Sequence, residues 1–466
     1  MSRAHAHAHK QAGEPMPPGI HNVYLFDGFN TTSWLVVLGS PMLLFLQHLD
    51  ATATIIAVAV SLSPLLNILQ IPAARFVEQV GYRRFVIGGW SSRSLLVVGM
   101  AVVAFLPESV DRTTRIVLML FLLFIFNILR GISVCGMLPW FTHIVPESRR
   151  GEFLARDQSA VAFSSVVSLL LFGAVLTRPL EWHPFGSLFV ISFVAAWISL
   201  IFLRRVPDVP VEKIVRNRQR IPWLEILFHP PFFRYLRYNI IINIAMGLSG
   251  AFWVRFVKTL LHASNWNVLF IAATTNLVLA FSLLLIASMI DRTGNKQVLT
   301  LSGVLLVLHF TGWACVASGL VSFHDHFWVV VAVQALTSGF GVALWNLANV
   351  RMVMGIVPAM GRPHFLALYS VCANVTFGSV PLVAGPVIDY LDAHEWQDHW
   401  GAWNWNPYSL LYCLLTSTII VGLCVLQTLN EPHKMTWDVF MRELLVRTPG
   451  RALSRVITRL RGPSIG

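Results

Sequence analysis

Arg130 stands about 15 residues into a long apolar run, roughly 22 Å along it as a helix, with Asn127 one turn back on the same face. A guanidinium is costly in hydrocarbon. Its planar fork of donors can clamp a carboxylate, a phosphate or sugar hydroxyls, or it can tie helices together through backbone carbonyls. Neutral amides punctuate other apolar runs at Gln47, Asn239, Asn243, Gln334, Asn346 and Asn349. Asn239/Asn243 and Asn346/Asn349 have i,i+4 and i,i+3 spacing, so each pair can present its amides on one helix face, to a ligand or to a neighbouring helix. Amides with an arginine suit a hydroxylated or anionic solute. Arg93 and His309 also lie deep in apolar sequence, where snorkelling or pairing for the first and hydrogen-bonded packing for the second are the favoured readings.

Other constellations fall short of chemistry. His394 and His399 flank Glu395, but five residues apart they point to different helix faces, unlike the four-residue spacing of a zinc-protease motif. Nucleophile elbows, phosphate loops and paired intramembrane aspartates are missing, so the chain reads as no enzyme and implies no cofactor. Cys135, Cys315, Cys372, Cys413 and Cys424 sit in apolar runs without metal-ligand spacing, as small packing residues. His5, His7 and His9 alternate with alanine in a tail expected to be disordered. The apolar runs contain no clear Asp or Glu, the usual proton carriers, so a proton route would need His309 or a run-end carboxylate such as Asp27, Asp50 or Asp157.

The elements that must hold these residues follow from composition. Of 466 residues, 56% are hydrophobic and only 12% charged, and the mean hydropathy is +0.66, which excludes an ordinary soluble domain. Crossing the hydrocarbon layer takes about 20 apolar residues. Such runs occur near 31–49, 53–72, 84–106, 115–144, 157–177 and 186–203, then near 238–260, 266–289, 297–321, 327–350, 364–388 and 407–428. The predicted fold class is therefore an all-α membrane protein of twelve transmembrane helices.

Its predicted parts are a cytoplasmic amino-terminal tail over 1–30, a six-helix bundle over 31–203, a basic cytoplasmic linker over 204–237, a second six-helix bundle over 238–428 and a basic amphipathic tail over 429–466. Most of the 34 Lys and Arg fall on the side of the termini, whereas Arg112, Arg115, Arg178, Arg255 and Lys258 fall on the other. The positive-inside rule then puts both termini in the cytoplasm, as expected for a multi-pass protein of the cytoplasmic (inner) membrane. The first apolar run lies behind a long polar lead with no cleavage site, so no secretory signal is expected. Trp396, Trp400, Trp403 and Trp405 cluster before the last run, as aromatic residues do at a membrane interface.

The two halves also repeat in sequence. Glu78-Gln79-Val80-Gly81-Tyr82-Arg83-Arg84 corresponds to Asp291-Arg292-Thr293-Gly294-Asn295-Lys296, and Val145-Pro146 with Arg150 corresponds to Val357-Pro358 with Arg362. This pattern resembles the major facilitator superfamily, whose loop after the second span carries Asp-Arg-x-Gly followed by basic residues. Asp291-Arg292-Thr293-Gly294 matches that core, and the first copy departs from it with Glu78 and Gln79.

The resemblance covers about 30–427. It implies two pseudo-symmetric six-helix bundles rocking about a central cavity lined by spans 1, 4, 7 and 10, in a secondary or facilitative transporter working by alternating access. It thereby ranks Arg130, Asn127, Gln47, Asn239, Asn243, Gln334, Asn346 and Asn349 as candidate substrate-binding residues. Glu78, Gly81, Arg83, Arg84, Arg150, Asp291, Arg292, Gly294, Lys296 and Arg362 rank as gating residues, the basic ones among them also able simply to anchor to phosphates. Pro381, Gly385 and Pro386 suggest a kink and close-packing site on span 11. The expected partners are a small solute, a coupling proton or counter-anion and membrane lipids, with no nucleic acid, for a monomer. A transporter-like sensor or assembly protein, and least of all a membrane enzyme, are the alternatives.

Overall fold

The computed structural model describes residues 16–146, 149–179, 183–209, 223–286, 294–357 and 362–429. The tail histidines, most of the basic carboxyl-terminal tail, the middle of the linker and Asp291 and Arg292 lie outside the described residues. Among the described residues, twelve helices are long and apolar enough to cross a membrane: His21–His48, Ala53–Val77, Tyr82–Phe105, Arg112–Phe141, Arg156–Leu176, Pro184–Leu203, Pro230–Thr259, Asn265–Leu283, Asn295–Ala317, Phe327–Ile356, His364–Ala393 and Pro407–Gln427. They are numbered here spans 1 to 12.

Their number is the one expected, but several start earlier. Span 1 begins at His21 and span 7 at Pro230. A hydropathy window begins where polar residues stop, whereas a helix continues as long as its backbone bonds are made. Eight residues assigned to the linker therefore belong to span 7, where Tyr235 is fully buried.

Local chemistry sets the ends. Thr52 caps span 2 by accepting from the Ile55 amide, and Asp111 caps span 4 by accepting from Thr114. Asn406 and Ser409 form a reciprocal capping box at span 12. Gly81, at φ +90° with open space around it, closes the helix before span 3; here the backbone angle itself calls for glycine. Span 1 is interrupted at Gly39, span 4 tightens into a 3-10 turn at Val134–Gly136, and span 10 carries a π-turn at Ala335–Phe340. The four tryptophans before span 12 lie on or beside an antiparallel hairpin, β1 Asp398–Trp400 and β2 Trp403–Trp405.

Large apolar side chains cover the outside of the helices: Phe163, Phe121, Val117, Phe281, Trp328 and Val383 are all more than half exposed. In water that surface would aggregate; facing lipid it is the expected outer coat of a membrane protein.

The chain forms two compact units. The first holds residues 1–219, 247–273 and 374–395, the second 220–246, 274–373 and 396–466. In the first, Phe26, Trp90, Trp140 and Leu203 centre a buried cluster, with the Trp140 indole donating to the Pro207 carbonyl at 2.9 Å. Glycines let its helices touch: a Cβ on Gly131 of span 4 would stand 2.2 Å from the Leu66 carbonyl oxygen of span 2. In the second, the Ser302 hydroxyl of span 9 bonds the Gly341 carbonyl of span 10 at 2.7 Å, and Gly303 packs on Leu423 of span 12.

The contrast between two glycines gives a test. Gly131→Ala forces a methyl group onto rigid backbone and is expected to cost about 1–3 kcal/mol, as overpacking does. Gly355→Ala, in span 10 with nothing within 4 Å, is expected to be neutral or stabilising by up to about 1 kcal/mol through helix propensity. Thermal unfolding of the purified variants in detergent checks both; equal melting temperatures would contradict the close span 2–span 4 contact.

Candidate functional site

The first unit holds the buried charge. Gly131 brings span 4 against span 2 at the point where Pro64 and a 3-10 turn over Asn67–Leu69 make span 2 irregular. Arg130 thereby reaches two side chains of span 2, its Nη1 donating to Ser63 Oγ at 3.0 Å and Asn67 Oδ1 at 3.1 Å. The Asn67 amide donates in turn to Asn374 Oδ1 of span 11 at 3.4 Å. Among the described residues no carboxylate pairs with Arg130. Its positive charge is held by neutral oxygens alone, which leaves a guanidinium able to accept an anion.

Asn127 does not join this group. Its Nδ2 donates to the Leu123 carbonyl of its own helix at 2.9 Å, and its buried Oδ1 has no hydrogen-bond partner among the described residues. The buried Gln47 Oε1 of span 1 is likewise without one.

A second polar cluster in the same unit joins spans 1, 3 and 5. Arg93 is 6% exposed, donates to Asn30 Oδ1 at 2.8 Å and lies 4.0 Å from the Trp90 ring centre, with Phe126 beyond. Asn30 also accepts from the Trp90 indole at 3.2 Å. One turn back on span 1, Asp27 lies near enough to Asp157 of span 5 for the two carboxyls to interact, and it also feels the Arg93 charge. Asp27 and Asp157, which the sequence offers as run-end carboxylates, lie near the starts of the helices of spans 1 and 5, and Asp389 and Asp392 lie near the end of that of span 11. Asp27 precedes the first apolar run because it sits in the polar first turns of its helix, and Asp157 opens the fifth.

The second unit gathers neutral groups. Asn239 Nδ2 donates to Asn349 Oδ1 and to Tyr369 Oη, both at 3.0 Å, and Asn349 Nδ2 donates to Tyr369 Oη at 2.6 Å. Asn243 donates back to Asn239 Oδ1 at 2.7 Å. The Tyr235 hydroxyl donates to Asn349, reaching its carbonyl at 2.9 Å and its side-chain oxygen. Asn239 and Asn243 do share one face, as their spacing predicts. Asn346 and Asn349 do not act together: Asn349 is buried in this knot while Asn346 is exposed. Gln334 is elsewhere, 2% exposed, and its buried Oε1 has no hydrogen-bond partner among the described residues. Tyr235 and Tyr369 went unread in the sequence because a tyrosine in an apolar run looks like any other aromatic core residue. The knot satisfies its amides internally, so it fastens spans 7, 10 and 11 together.

The repeated loops place their basic residues at helix ends. Arg83 donates to the Arg204 carbonyl at the end of span 6, and its repeat counterpart Lys296 donates to the Gln427 and Leu429 carbonyls at the end of span 12, both at 2.8 Å. Each caps the carbonyl end of a neighbouring helix, where positive charge is favoured. Arg84 is exposed and Gly294 precedes span 9 as its capping residue. Glu78, Arg150 and Arg362 lie on helices, and their side chains are outside the described set.

Several solved structures share this fold. A nucleoside transporter, NupG, superposes with a TM-score of 0.66 at 13% identity, over 89% of this chain and 99% of its own. A D-xylose-proton symporter gives 0.65 at 13%, over 90% and 98%. A bacterial homolog of the human lysosomal transporter Spinster, inward-facing and unoccupied, gives 0.55 at 14%, over 93% and 95%. A search of curated proteins finds no match. The family model for the Major Facilitator Superfamily matches residues 23–321. With twelve spans in the architecture of two six-helix bundles, a repeated loop motif and that match over more than half its length, the chain belongs to the Major Facilitator Superfamily, as a multi-pass membrane transporter and not an enzyme.

Proposed function

We propose that the protein moves a small anionic or hydroxylated solute across the cytoplasmic membrane by alternating access, with Arg130 as the principal solute-binding group. The observation that carries this reading is the Arg130 guanidinium, seated among Ser63, Asn67 and Asn374 with no carboxylate paired to it among the described residues. A solute carboxylate or phosphate would supply the missing charge, and the hydroxyl and amides beside it would read the solute's own hydroxyls. The amide knot of spans 7, 10 and 11 serves as the fastening on which the second unit moves. Both termini face the cytoplasm, the working unit is a monomer in lipid, and gating rests on the repeated loops.

Coupling to protons falls to Asp27 and Asp157. Two neighbouring carboxyls can share one proton, and the Arg93 charge on span 3 acts on Asp27. The solute site and the proton site are then separate and can fail separately.

Arg130→Ala is expected to weaken solute binding by about 10- to 100-fold, the worth of charge-assisted hydrogen bonds to one guanidinium. Arg130→Lys should recover part of that, since it keeps the charge and loses the fork. The measurement is a thermal-shift screen of organic acids, phosphate esters and sugars, followed by titration calorimetry. A solute that binds both variants as tightly as the wild type would remove Arg130 from the site.

Asp27→Asn should leave solute exchange in proteoliposomes within about twofold while abolishing accumulation driven by an imposed pH gradient. Undiminished gradient-driven accumulation would remove the carboxyl pair from coupling.

A further inference from the structure

Span 2 does not complete its own amino terminus. A helix start leaves unpaired backbone N–H groups, and Thr52 answers only that of Ile55. The amides of Ala53 and Thr54 are answered by Asp389 of span 11, at 2.6 Å to Oδ1 and 2.9 Å to Oδ2, and the Thr54 hydroxyl donates to the same carboxylate at 2.6 Å. Arg255 of span 7 braces the arrangement, with Nη1 on the Ala51 carbonyl at 2.8 Å and Nη2 on Asp392 Oδ2 at 3.1 Å, and with Asp389 Oδ1 4.0 Å away. The Arg255 side chain is 12% exposed and that of Asp389 26%, so this is no fully solvated surface pair. One turn below, Gly385 allows spans 2 and 11 to approach closely, its notional Cβ 2.9 Å from Thr54 Cα.

The internal repeat supplies a comparison within the same unit. At the spacing that aligns the two halves, Gly173 of span 5 is the counterpart of Gly385, and Trp266 of span 8 that of Ala53. These counterparts also meet, since a Cβ on Gly173 would stand 2.7 Å from the Trp266 ring. The counterpart of Asp389, however, is Thr177, whose hydroxyl bonds the Ala174 carbonyl of its own helix. One of the two related seams carries a carboxylate and an arginine; at the other, among the described residues, a glycine packs on a ring and a threonine takes the place of the carboxylate.

We propose that Asp389, Arg255 and Asp392 form a latch at the end of the molecule opposite the termini, which holds spans 2, 7 and 11 together and sets the population of the state closed at that end. Parting spans 2 and 11 there strips the Asp389 carboxylate of its three hydrogen bonds and uncaps span 2, whereas Thr177, at the related position of the other seam, keeps its hydroxyl on its own helix. The latched seam is therefore the one that governs opening. This inference rests on the alternating-access reading and not on Arg130 or its solute.

The test places spin labels at Ser109 and Ser264, exposed positions on the span 3–4 and span 7–8 loops at that end, in full-length protein with its five cysteines replaced. Distances are read by electron–electron resonance. Asp389→Ala and Arg255→Gln are expected to raise the longer-distance population about tenfold or more relative to the closed one, and Thr54→Val, which removes one hydrogen bond, to raise it less. Asp111→Ala removes a cap confined to span 4 and should change nothing.

Should Asp389→Ala fail to fold, Thr54→Val and Arg255→Gln decide the outcome. Distances in the latch variants that match a two-population wild type would overturn the latch and leave transport standing. A single population in every variant, with or without solute, would overturn alternation itself and the latch with it.

Discussion

Inside a bilayer no water is available to answer a polar group, so each buried donor, acceptor and charge must be met by another part of the same chain. That constraint organises this protein more than any single packing contact does. Arg93 is met by Asn30 and two aromatic faces, Arg130 by Ser63 and Asn67, and the amides of Asn239, Asn243 and Asn349 by one another and two tyrosines. Wherever two helices share such a group, their relative position is fixed far more narrowly than by apolar packing in a solvent as apolar as the side chains themselves.

The same constraint separates a fastening from a site. In the amide knot of the second unit, donors and acceptors are matched and the charge is zero; nothing is left for a ligand to improve. At Arg130 the hydrogen bonds are made but the charge is not balanced by any described carboxylate, so an anion would gain from entering. Both arrangements hold polar residues deep in apolar spans, and a sequence scan cannot tell them apart because the difference lies in the partners, not in the residue types.

That explains what could be read in advance. The twelve spans, the repeat and the family pattern were legible because hydropathy and loop composition act locally. Arg130 was legible because a lone arginine in an apolar run is conspicuous, and Asn239 with Asn243 because helical spacing is fixed. Tyr235 and Tyr369 were not, since their hydroxyls matter only once spans 7, 10 and 11 meet. Asp27 fell just outside a window drawn on apolar residues and Asp157 at the very edge of one, although the helices continue through them. Asp389 lies just past the eleventh apolar run, and its role depends on the amino terminus of span 2, more than 300 residues away in sequence.

The repeat shows how such roles arise. Duplication supplies two copies of a seam, Gly385 on Ala53 and Thr54, and Gly173 on Trp266, with glycine serving the same close approach in each. The caps behave alike, with Arg83 and Lys296 each closing the carbonyl end of the last span in its half. Symmetry persists where the task is packing. It is broken where charge appears: Arg130 in the fourth span corresponds to no arginine in the tenth, and Asp389 in the eleventh to a threonine in the fifth. A charge in a low-dielectric interior acts over several helices and costs several kcal/mol to leave unpaired, so it is tolerated at few positions and dominates those it occupies. Divergence of a few charged residues on a duplicated apolar frame is thus enough to set in one half a buried guanidinium with no described carboxylate partner and at one seam a capping carboxylate, while the glycine contacts of the two seams stay alike.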